Sequence, residues 1–290
     1  MKNLSQKLIS KYKKNITELG QVTIKDFFSD KQMESFENSF LSLYLMQAKK
    51  IGEYKIKATK IENNKASNFE KISAIFEMME KNDKEALYQV QHYMKNSISI
   101  NALFDERFLD LMTLLLCSKK NNVLVDGPAL FINRPKTKRL LYKWHSESHY
   151  YPKRRRFLNI WLPLFNKKSK ANGTMSFKEK SHQSEFPFSD YVGYNNDIKN
   201  KKNSYTQYEI PSKFVKDYKE YFCEASPKDL VVFHKSLVHA SNTNNSNKYS
   251  LAAAVRIWDP TDDLTLSGAI DAQPYKSNTG RSNLDVDLEV

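Results

Sequence analysis

The chain has 290 residues, 40% of them hydrophobic and including 17 Phe, 16 Tyr and three Trp, which is enough to bury a sizeable core and argues against a disordered polypeptide. Two cysteines, Cys117 and Cys223, cannot staple a fold of this size and stand in no Cys-x-x-Cys or Cys/His cluster, so a reduced, cytoplasmic setting is expected. The net charge of +13 is mostly Lys dispersed among Asn, as at 170–172, 200–203 and 244–248, without a basic helix or an aromatic-interleaved basic strand; this argues against nucleic acid as a partner. No apolar run approaches the length of a membrane span, and residues 1–16 lack the apolar stretch of an export signal, so a soluble, unexported protein is expected.

The sequence contains no internal repeat, linker or heptad run, and one domain over 1–290 is expected: helical support over 1–120, a β core over 121–260 and a tail over 261–290. Residues 21–24 read as a short strand. Ser29 with Gln32 three residues later is a capping-box signal for a helix over 30–50, along which Phe36, Phe40, Leu43 and Leu45 recur at roughly helical spacing. Similar stripes predict helices over 68–95 (Ile72, Ile75, Phe76, Met79) and 102–117 (Leu103, Phe108, Leu111, Met112, Leu115). From about 122 the texture changes to short apolar or alternating runs broken by turn residues. Strands are predicted over 123–133, 140–145, 156–164, 174–177, 206–210, 230–233 and 248–258. The fold class is α+β with a mainly β core, a sandwich or jelly roll braced by N-terminal helices.

The residues suited to chemistry sit in Trp144-His145-Ser146-Glu147-Ser148-His149 and Val238-His239-Ala240. In a strand, positions i and i+2 face one side, so His145 and Glu147 would project into the same space, and His239 could join them from a strand of a facing sheet. Two imidazoles and one carboxylate on one face leave three positions open for a bidentate 2-oxo acid and dioxygen, the arrangement of mononuclear iron(II) oxygenases. A bare His-x-Glu also arises by chance, usually as a surface pair. A buried distal carboxylate on the 2-oxo acid needs a cation. Lys248, nine residues past His239, shares strand parity with Ser250, Ala252, Ala254 and Arg256, which makes a face of small residues between two cations.

Six blocks in order resemble the phytanoyl-CoA dioxygenase-like family of iron(II)/2-oxoglutarate oxygenases. They are residues 19–28, Phe131-Ile132-Asn133-Arg134-Pro135 leading to residues 144–152, Asn159-Ile160-Trp161-Leu162-Pro163-Leu164, Asn172-Gly173-Thr174-Met175 with Ser181-His182, residues 229–234, and His239-Ala240-Ser241. The resemblance implies a double-stranded β-helix, a cupin-like jelly roll, with Fe(II) on His145, Glu147 and His239, and with 2-oxoglutarate and dioxygen as cosubstrates. Carried over by position, Trp161, Ser241 and Asn133 line the 2-oxoglutarate pocket, Lys248 pairs its distal carboxylate and Ser250 adds a hydroxyl contact. The family more often has Arg for that pairing; Lys loses the bidentate fork, and Arg256 takes over if the turn is arranged differently. A carboxylate at 147 argues against a halogenase, which keeps that coordination position free for chloride.

The implied reaction couples oxidative decarboxylation of 2-oxoglutarate to hydroxylation of a C–H bond. His149, Tyr150, Arg154 and Arg155 follow the metal motif and are the candidate substrate residues. Clustered Arg there suits a small anionic or hydrophilic metabolite, a sugar or glycan precursor rather than a fatty acyl-CoA; a plain basic surface loop is the bland alternative. A non-catalytic cupin-like binder is the competing class, and oligomeric state is not legible.

Overall fold

The computed structural model of the protein describes residues 5–82, 87, 98–137, 141–152, 154–193 and 205–262. Five antiparallel strands form the larger sheet: β1 (Gln21–Ile24), β2 (Leu124–Asn133), β3 (Arg156–Leu164), β8 (Leu230–His234) and β10 (Ser250–Asp259), in the order β1-β8-β3-β10-β2. A smaller sheet has the order β7-β4-β9, from β4 (Met175–Lys178), β7 (Glu220–Phe222) and β9 (His239–Ser241), and β5 (Ser189–Gly193) pairs with β6 (Tyr205–Glu209) as a separate ribbon.

Strand parity divides the larger sheet into two buried faces. Outward, Leu251, Ala253, Val255 and Ile257 of β10 and Leu158, Ile160, Leu162 and Leu164 of β3 join one core with Phe36, Phe40, Phe76 and Phe108 of the helices. Inward, Trp161, Val231, Phe233 and Ala252 pack against Phe177 and Cys223 from the side of the smaller sheet. A strand covered on both faces is apolar throughout, which is why β3, buried at eight of its nine positions, was legible end to end.

The helices form where the capping chemistry places them. Ser29 Oγ accepts the Gln32 N–H at 3.2 Å and the Gln32 side chain accepts the Ser29 N–H at 3.0 Å, and the helix Asp30–Lys50 follows. The helix predicted to begin at 102 starts at Glu106, because the Asp105 carboxylate caps the Phe108 N–H at 3.0 Å, and it ends at Cys117 in the left-handed region. The helix predicted over 68–95 is described as Asn68–Asn82, and most of the rest of that prediction lies outside the described residues. Helices Gln6–Leu19 and Lys55–Glu62 were not predicted; they are Lys-rich, and the first buries only Ile9 and Ile16. That helix ends on Gly20 at φ 86°, a left-handed conformation that favours glycine, with the side chains of Leu237 and His182 close against it. Among the described residues, no helix is long and apolar enough to cross a membrane.

Candidate metal centre

The predicted strand over 140–145 is not one: residues 138–140 lie outside the described residues, and His145 makes only an isolated antiparallel bridge to His239. That bridge sets the site. His145 N–H donates to His239 O at 3.0 Å and His239 N–H returns to His145 O at 2.9 Å, so the side chains leave on one face with ring centroids 4.2 Å apart. Ser146 is extended, with φ −134° and ψ 153°, which returns Glu147 to that face before a 3-10 turn begins at Glu147. The i, i+2 argument therefore survives without a strand. One ligand atom from each of His145, Glu147 and His239 lies within 4.8 Å of the others, and all three residues are buried; among the described residues this is the one such cluster.

The hydrogen bonds determine which nitrogens are free. His145 Nδ1 is 2.7 Å from Lys143 O, and His239 Nδ1 is 2.9 Å from Leu237 O. A carbonyl only accepts, so each Nδ1 carries the proton and each Nε2 keeps its lone pair for a metal. Burial, helped by the neighbouring His239, pushes His145 down to about 3, and burial likewise lowers His239. Both rings are therefore neutral, the form that ligates. Burial works against the Glu147 charge, but the Arg256 guanidinium beside it outweighs this and holds the carboxyl below its ordinary range. Arg256 grips it side-on, with Nε 3.1 Å from Oε2 and Nη2 3.4 Å from Oε1. Two neutral imidazoles with free Nε2 atoms, one carboxylate and no thiolate, walled by Tyr142, Phe177 and Phe233, form a donor set that fits a divalent iron-type metal.

Trp161, Ser250 and Asn133 lie on the inner face of the larger sheet: Asn133 stands opposite Ser250, and Trp161 opposite Ala254. Ser241 follows His239 by two residues on β9 and shares its parity. Lys248 does not join them. The Asn244 side chain holds the Lys248 carbonyl at 2.7 Å in the turn before β10, and the Lys248 ammonium faces out to Glu70 at 3.4 Å. Tyr150 stands with its ring 6.1 Å from that of His145, and His149 stacks on Phe188 at 4.1 Å. The Arg154 guanidinium lies over Tyr151 and Trp258, at 4.2 and 3.8 Å, and Arg155 is exposed. Lys153 lies outside the described residues. Sequence reasoning missed Lys168, whose ammonium is buried beside Ser250 at 2.9 Å; it stands in a Lys/Asn run with the texture of a solvated surface.

Four of the six histidines are held neutral by burial: His145 and His239, and His149 and His234, each pushed down to about 4. The unfolded chain then binds more protons than the native one between the ordinary histidine value of 6.5 and about 4, so stability falls as pH falls through that window. Glu37, raised to about 7 by burial, works in the opposite direction and is outnumbered. The urea midpoint of the metal-free protein is expected to drop steadily across that range; a flat midpoint would contradict the neutral, buried assignment.

The chain matches the family described as phytanoyl-CoA dioxygenase (PhyH) over residues 16–250. It belongs to that family. The phytanoyl-CoA dioxygenase family is one of non-haem iron- and 2-oxoglutarate-dependent oxygenases. No curated protein matches the sequence. Among solved structures, EctD from S. alaskensis with bound Fe is 15% identical with a TM-score of 0.56, over 91% of this chain and 81% of that one. The alpha ketoglutarate dependent epimerase SnoN from nogalamycin biosynthesis is 11% identical with a TM-score of 0.55, over 89% and 83%. EvdO2 from Micromonospora carbonacea var. aurantiaca is 12% identical with a TM-score of 0.53, over 86% and 90%. At these identities the likeness establishes a shared fold. SnoN has also been crystallised with Fe3+ and alpha ketoglutarate, and EctD with 2-oxoglutarate.

Proposed function

We propose that this protein is an iron(II)- and 2-oxoglutarate-dependent oxygenase that hydroxylates a C–H bond of a small hydrophilic or anionic metabolite, with the iron held by His145 Nε2, His239 Nε2 and a Glu147 carboxylate oxygen. The observation that carries the proposal is the pair of Nδ1–carbonyl bonds, which leaves two neutral Nε2 atoms and one carboxylate converging from three buried residues. Family membership supports the cofactor class. The two facing sheets are read as the halves of a double-stranded β-helix, in one domain.

Iron with 2-oxoglutarate and dioxygen supplies the oxidising chemistry; the chain's residues bind, orient and exclude water. Lys143 and Leu237 fix the ring tautomers through their carbonyls, and Arg256 fixes the Glu147 carboxylate. Phe177 and Phe233 keep water from His239. At the outer end, His149, Tyr150, Phe188 and Tyr208 form a group of rings, tied by the Tyr208 N–H donating to Tyr150 Oη at 3.1 Å. Flat aromatic faces with polar edges suit a sugar-like ring, and this supports a hydrophilic substrate over an acyl chain.

With iron(II), dioxygen and 2-oxoglutarate, the protein is expected to form succinate and carbon dioxide in equal amounts, slowly without substrate and faster with it, and isotopic label from dioxygen should enter the product hydroxyl. Iron bound at the triad with no succinate formed would overturn this function in favour of a non-catalytic cupin-like binder.

A further inference from the structure

Lys168 lies four residues beyond the end of β3 and is 1% exposed. Its ammonium donates to Asn166 Oδ1 at 2.7 Å and Ser250 Oγ at 2.9 Å, with Leu164 O at 3.5 Å. All three acceptors are neutral, and no carboxylate among the described residues offsets the charge; burial alone drives the ammonium well below its ordinary pKa. A cation withdrawn from water without a counter-ion is costly, and such a group persists where something repays it.

The position of this cation indicates what repays it. Ser250 opens β10, and Ser250, Ala252, Ala254 and Arg256 share the inner face. Arg256, at the outer end, holds Glu147. Lys168 closes the opposite end, pinned between the sheets by its N–H to Ala225 O at 2.7 Å. Two alanines, Ala252 and Ala254, keep the floor low between the ends, and Asn133 stands opposite Ser250 on the neighbouring strand. The other two cations in contention are engaged elsewhere, Lys248 at the surface with Glu70 and Arg256 with Glu147.

We propose that Lys168, together with the Ser250 hydroxyl, receives the distal carboxylate of 2-oxoglutarate, so that the charge comes from the loop after β3 and not from the strand after the second histidine. This rests on the iron(II)/2-oxoglutarate reading above. The opposing account is a lysine that merely ties the β3 exit to β10; it predicts a stability loss on replacement and no effect on ligand choice.

The test is anaerobic calorimetric titration of the iron(II)-loaded full chain with 2-oxoglutarate and with 2-oxobutyrate, which chelates equally and lacks the distal carboxylate. Wild type is expected to prefer 2-oxoglutarate by about 100-fold, the scale of a desolvated charge pair. Lys168→Met should reduce that preference to less than about tenfold by weakening 2-oxoglutarate alone, and Lys248→Met should retain it in full. Ser250→Ala, which leaves the lysine in place, should weaken 2-oxoglutarate about tenfold and leave 2-oxobutyrate unchanged; it carries the test if Lys168→Met does not fold. A preference retained by Lys168→Met, or by Ser250→Ala where only that variant folds, or lost in Lys248→Met, overturns the assignment of Lys168 alone. Wild type binding neither acid overturns the cosubstrate reading and this assignment with it.

Discussion

Replacing His239 by alanine is expected to reduce both iron retention and succinate formation by more than about 100-fold, because even groups that only support a metal ligand are worth 10–100-fold. The variant should nevertheless fold. β9 is anchored by backbone contacts that do not use the imidazole: its pairing with β4, the backbone pair between residues 145 and 239, and the Ser241 N–H to Tyr142 O bond at 2.9 Å. His182 is the matched control, since its Nε2 is engaged with Thr17 O at 2.9 Å and lies outside the triad. Metal analysis of the purified variants and an assay of succinate check the pair: loss in His239→Ala and retention in His182→Ala is the expected pattern, and equal loss in both would point to general destabilisation.

Arg256→Met should destabilise the metal-free protein by about 3–5 kcal/mol, the cost of leaving one member of a buried charge pair without its partner. The pair is well shielded, with Arg256 16% and Glu147 9% exposed at their side chains, and Arg256 meets both carboxylate oxygens. A divalent metal offers Glu147 another counter-charge, so manganese(II) should restore part of the loss and raise the melting temperature of the variant more than that of wild type. Arg256→Lys, which keeps a charge and loses the fork, should fall between the two. Thermal melts with and without manganese(II) read this directly, and an Arg256→Met variant as stable as wild type without metal would show that the ion pair carries no weight.

How much was legible in the sequence depended on whether local chemistry alone decided the outcome. The β3 boundaries came from an apolar run buried on both faces, and the helix Asp30–Lys50 from a capping box whose two hydrogen bonds both form. The proximity of His145 and Glu147 was legible because alternation needs only one extended residue, Ser146, and not a whole strand. The parity of Ser250, Ala252, Ala254 and Arg256 also holds; it failed at Lys248 because the Asn244 and Ser246 side chains bind the Lys248 carbonyl and end the alternation before it. Lys168 was invisible for a different reason. Nothing in Asn166-Lys167-Lys168-Ser169-Lys170 marks which lysine turns inward; that is decided by Ser250, 82 residues away. Short strands such as β7 and β9, of three residues each, form because the larger sheet presents a face to cover, and local propensity does not announce them.

The central claim is that three buried side chains hold one iron-type metal with an open face toward a 2-oxo acid. A crystal structure of the protein grown anaerobically with manganese(II) and 2-oxoglutarate tests it most directly. The expected result is a single ion bonded to His145 Nε2, His239 Nε2 and a Glu147 carboxylate oxygen, chelated by 2-oxoglutarate on its open side. An ion bound elsewhere, or 2-oxoglutarate bound away from these three residues, would contradict it.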